Sequence, residues 1–107
     1  MTKQEINLAI ANLKYPELQF RLDKRTKARY WAMDGEHFEG FTVDYCKNWN
    51  DLMPLVVELE IDFQSDGEYW VSDYYGFDHP VTVLDKDPKL ALAKCVLKVL
   101  QEQDDDF

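Results

Sequence analysis

Apolar residues recur at helical spacing near both ends of the chain. Ile6, Ala9, Ile10 and Leu13 follow Thr2 and Glu5, a T-x-x-E pair whose hydroxyl and carboxylate can satisfy opposite free amides. The spacing predicts an amphipathic helix over 3–14, with Pro16 discouraging its continuation. Near the other end, Asp87 caps a segment that has Pro88 at its first position, where the missing amide costs nothing. From Leu90 to Leu100 the apolar residues leave only a narrow polar stripe of Lys94, Lys98 and Gln101. So wide an apolar arc suits a helix over about 88–103, pressed on a sheet or held between two layers. A third helix is expected around Pro54. Reading that proline as a first-turn residue puts the cap at Asn50 or close by and turns Met53, Val56, Val57 and Leu59 to the core.

Strand signals fill the remainder. Residues 60–63 and 68–72 flank Gln64-Ser65-Asp66-Gly67, and Asp-Gly between β-prone runs predicts a hairpin. Residues 80–84 read as a further strand, and 28–33 can pair with 37–42 across Asp34-Gly35. The order α-β-β-α-β-β-β-α predicts an α+β fold, an antiparallel sheet of four or five strands layered with about three helices. One domain over 1–103 and a frayed acidic tail over 104–107 complete the outline.

Composition narrows the class. The chain has 107 residues, 46% hydrophobic and 31% charged, which fits one globular domain. Its net charge of −9 disfavours direct binding to nucleic acid or to an anionic membrane. The longest stretch free of charged or strongly polar residues, 52–57, is far short of the roughly 20 that a membrane span needs. The N-terminus lacks the apolar run of a signal peptide, and two cysteines are too few for a disulfide framework, so a cytoplasmic setting is expected. The charge is uneven. Residues 14–29 hold six cations against Glu17 and Asp23, while 30–85 hold 13 carboxylates against Lys47 alone.

Few motifs point to chemistry. Asp62-x-Gln64-x-Asp66-Gly67-x5-Asp73 resembles a calcium loop, but position three is Gln, position twelve is the short Asp, and strand-like flanks replace helices. A plain hairpin turn is the preferred reading. Cys46 with His37 or His79 lacks an orienting third group, and Cys95 falls inside an apolar helix. The four glycines are isolated, so there is no phosphate-cradling loop. No catalytic residue, cofactor site or metal site is expected, and the chain reads as a non-enzyme.

The acidic block is also rich in rings. Tyr74-Tyr75-Gly76-Phe77 falls in an expected loop, where exposed aromatics mark protein interfaces. Beside it stand Asp62, Asp66, Glu68, Asp73 and Asp78. Together with Tyr74, Tyr75 and Phe77, these carboxylates form the candidate partner-binding surface. Spaced negative charge of this kind can imitate a nucleic acid, or simply keep a small protein soluble.

The segment Asp44-Tyr45-Cys46-Lys47-Asn48-Trp49-Asn50-Asp51-Leu52-Met53-Pro54-Leu55-Val56 resembles a stretch of the phage ABA sandwich domain family. Asp87-Pro88-x-x-Ala91 is similar to the start of that family's C-terminal helix, so the resemblance spans about 42–103. It implies a small phage or prophage protein in a bacterial cell, with helix–sheet–helix layering and no catalytic residues to carry over. The expected function is a non-catalytic module that binds a host or phage protein. A nucleic-acid-mimicking inhibitor of a host defence enzyme and a phage assembly component, which could form a homodimer, are the alternatives.

Overall fold

The computed structural model of the chain describes residues 1–22, 28–31 and 42–105. It is an α+β fold in the order α1 (Lys3–Lys14), β1 (Gln19–Leu22), β2 (Ala28–Trp31), β3 (Thr42–Val43), α2 (Trp49–Leu59), β4 (Asp62–Ser65), β5 (Trp70–Tyr74), β6 (Val81–Asp85) and α3 (Pro88–Asp105). The strands do not form one sheet. They form two antiparallel sheets of three strands each, sheet A (β1-β2-β3) and sheet B (β4-β5-β6), among the described residues. Each sheet has its own helical cover: α1 packs on β1 and β2, α3 packs on β5 and β6, and α1 and α2 both lie against α3. Three strands with one covered face suffice for each unit.

Local sequence explains the helix ends. At α1, Thr2 Oγ1 accepts from the Glu5 amide and Glu5 Oε1 accepts from the Thr2 amide, both at 3.1 Å. At α3, Asp87 Oδ1 accepts from the Lys89 amide at 2.9 Å. That helix runs to Asp105, two residues into the stretch expected as a frayed tail, while 106–107 lie outside the described residues. Its wide apolar arc has a direct cause. Ala91, Leu92, Ala93, Cys95, Val96, Leu97 and Val99 are all buried, because α3 meets sheet B on one side and α1 and α2 on others.

The middle helix differs from expectation. Asn48 is its N-cap, its side chain accepting from the Asn50 amide at 2.9 Å, so Pro54 lies inside the helix and not in its first turn. An internal proline lacks the amide for one helical bond. The burial of Leu52, Leu55 and Val56 overrides that cost, and Pro54 itself is exposed. Val57, expected in the core, is 70% exposed, and Met53 and Leu59 are half-buried. The helix ends at Glu60, a left-handed residue (φ 56°) whose amide returns to the carbonyls of Val56 and Val57.

Two buried polar side chains tie the layers together. Asn7 donates to the Val43 carbonyl and accepts from the Tyr45 amide, both at 2.9 Å, holding the chain between β3 and α2 on α1. Ser72 Oγ donates to the Ala91 carbonyl at 2.7 Å, joining β5 to α3. Strands β2 and β3 pair with Arg29 facing Thr42, within the expected pairing of 28–33 with 37–42, and with Ala28 facing Val43, one residue beyond it. The Asp34-Gly35 turn lies outside the described residues. Strand β1 was not expected as a strand. Its register with β2 sets Phe20 opposite Tyr30, and Phe20 is buried.

Candidate functional site: the outer face of sheet B

Strand alternation divides sheet B into two unlike faces. Phe63, Ser72 and Val83 share a row facing α3, with Trp70, Asp85, Tyr74 and Val81 in the neighbouring rows. On the outer face Asp62 lies opposite Asp73, and Asp73 opposite Thr82; the next row is Gln64, Val71 and Leu84. Leu84 is 53% exposed, and Asp62, Gln64 and Thr82 are exposed.

The first outer row is electrostatically unusual. Residues directly opposite on antiparallel strands stand about 4.5–5.5 Å apart at Cβ, a placement that disfavours like charges. Asp73 accepts from Thr82 Oγ1 at 2.7 Å. Among the described residues no lysine, arginine or histidine forms an ion pair with either carboxylate. Three described lysines pair elsewhere: Lys14 with Glu58 at 2.6 Å, Lys94 with Asp85 at 2.7 Å and Lys3 with Asp87 at 3.9 Å. Tyr75, 65% exposed, stands beside the pair. The charge of Asp73, desolvation and the charge of Asp62 raise its phenol above the ordinary value.

The remaining candidate residues divide by role. Asp66 closes the β4–β5 turn, accepting from the amides of Tyr69 at 2.7 Å and Glu68 at 3.0 Å. Those bonds hold its carboxyl below the usual range, and Gly67 supplies the positive φ (100°) of the turn. Glu68 and Asp78 are exposed on loops. Tyr74 and Phe77 are half-buried and pack against the core, their rings 4.9 Å apart. The expected ring-bearing loop therefore presents Tyr75 and not all three aromatics. Gly76 allows this arrangement, since a Cβ there would collide with the Tyr74 phenol. Phe77 also stacks on His79, which pairs with Glu102 of α3 at 3.0 Å.

The calcium-like motif is drawn out along a hairpin. Asp62 and Asp73 are cross-strand partners, whereas Asp66 sits in the turn at the far end and spends its carboxylate on backbone amides. No group of three ligands that could hold a metal ion exists among the described residues. Cys46 is buried, its thiol donates to the Lys3 carbonyl at 3.5 Å, and burial pushes it up to about 11. His79 belongs to the other end of the fold, and His37 lies outside the described residues. Cys95 is buried, as its place in α3 implied.

Among the described residues, clefts also lie outside that face, and two of them stand nearest the acidic segments. The larger, about 490 Å³, is at the start of α2 and is lined by Thr42, Asp44, Lys47 and Trp49 among others. Asp51 there accepts from the Asp44 amide, and Lys89 lies over the Trp49 ring at 5.5 Å. The smaller, about 370 Å³, is bordered by Glu58, Glu60, Tyr75 and Gln103 and adjoins the acidic row. Sequence reasoning named the carboxylates and Tyr75 but missed Gln64, Val71, Thr82 and Leu84. Period-two alternation through the three strands carries that signal once their register is known.

No helix among the described residues is long and apolar enough to cross a membrane. No family model, curated protein or solved structure matches the chain.

Proposed function

We propose that the protein is a non-catalytic binding module that docks a cationic surface of another protein on the outer face of sheet B. The observation that carries this reading is the opposed Asp62–Asp73 pair, left without a described cation beside an exposed tyrosine. Like charges set face to face cost stability, and a bound cation turns that cost into affinity. The setting we propose, on the resemblance of residues 42–103, is that of a phage or prophage accessory protein acting in the cytoplasm of a bacterial cell.

The test uses a deca-arginine peptide as the probe in isothermal titration calorimetry. Binding should weaken by about tenfold or more as salt rises from about 50 to about 500 mM. The double variant Asp62→Asn with Asp73→Asn should lose most of it, while Asp104→Asn leaves it unchanged. Equal affinity of the double variant and the wild type would overturn the assignment.

A further inference from the structure

The outer face of sheet B is ordered in rows, and the rows specify more than charge. Asp62, Asp73 and Thr82 form one row and Gln64, Val71 and Leu84 the next. Rows on one face of a strand lie two residues, or about 6.8 Å, apart. Beyond them, alternation brings up Tyr69 with Lys86, whose ammonium lies 5.7 Å from the ring centroid. The face thus runs from an acidic end, through a mixed row in which exposed Leu84 and half-buried Val71 adjoin Gln64, to an end closed by its own cation.

We propose that this face receives one amphipathic helix of the partner, carrying Arg or Lys on one turn and an aliphatic residue on the next. The proposal rests on the reading of a cationic partner and gives that partner a shape. Three strands about 4.8 Å apart span roughly 10 Å, the width of a single helix. A lone strand laid flat on the face would leave its backbone amides and carbonyls without partners, whereas a helix satisfies its own. The rise from i to i+4 in a helix is about 6 Å, close to the spacing of the rows. A cation over Asp62 and Asp73 offsets their repulsion, and an aliphatic side chain over Val71 and Leu84 removes exposed apolar surface from water.

Two synthetic helical peptides of about 18 residues test this. Both contain the same Ala, Leu and Arg; one sets Arg and Leu four apart on one face, and the other scrambles them. The patterned peptide should bind about tenfold more tightly, the effect of burying one aliphatic side chain. Leu84→Ser should bring the two peptides to within about twofold of each other while the salt dependence of binding persists. Val71→Thr, which preserves side-chain shape, should give the same narrowing, and circular dichroism confirms that each variant is folded. Equal binding of the two peptides to the wild type, with deca-arginine still bound, would overturn the helix and leave charge docking intact. Failure of every cationic probe at low salt would remove both.

Discussion

The two faces of sheet B are made by the same three strands and follow opposite rules. Toward α3, Ser72, Val81 and Val83 are buried, and the one buried hydroxyl donates to the Ala91 carbonyl. Away from α3, two carboxylates oppose each other and Leu84 stands in water. The inner face is selected for stability: apolar area is removed from water and its polar atom is satisfied. The outer face keeps a repulsion that one substitution would relieve. On the proposed reading, that repulsion is offset when a cationic partner docks there.

The largest test of this contrast removes packing on the covered side. Leu92→Ala, in the helix that covers the sheet and fully buried, should cost about 2–5 kcal/mol in urea unfolding. Leu84→Ala on the open side should cost less than about 0.5 kcal/mol. Comparable costs at the two sites would make the outer face structural and break the contrast. Next in size, Ser72→Ala removes the donor that joins β5 to α3 and should cost about 1 kcal/mol.

The opposite sign is expected on the outer face. Asp62→Asn relieves the cross-strand repulsion and should stabilise the fold by up to about 1 kcal/mol while weakening cation binding. A variant that loses both stability and binding would show that the pair supports the fold. The smallest effect is acidic. Hydrogen bonds from Thr2 hold Glu5, and the Tyr69 and Glu68 amides hold Asp66, below their ordinary values. Carboxyls depressed in the folded state contribute stability above the unfolded pKa and lose it as pH falls through the folded one. The urea midpoint should therefore decline below about pH 4, and Asp66→Asn should blunt the decline.

The helices were the most legible part of the chain because their signals are local. The Thr2–Glu5 box and the Asp87-Pro88 start are each complete within a few residues, and both act as their sequence implies. Pro54 misled because a proline reports where an amide is missing, not where a helix begins. The cap at Asn48 and the burial of Leu52, Leu55 and Val56 decided the boundary. Strand β1 was hidden by its charges, although Leu18, Phe20 and Leu22 already alternate. The acidic surface was visible in composition, yet its composition says nothing of facing. Tyr74 packs against the core and Tyr75 projects because α3 lies on the Ser72 side of β5, a fact of tertiary packing.

Chemical-shift mapping of the isotopically labelled protein with deca-arginine tests the central claim most directly. The amide resonances of Asp62, Gln64, Val71, Asp73, Tyr75, Thr82 and Leu84 should move together and saturably. Perturbations led instead by the acidic end of α3, around Glu102 and Asp104, with the outer face of sheet B silent, would contradict it.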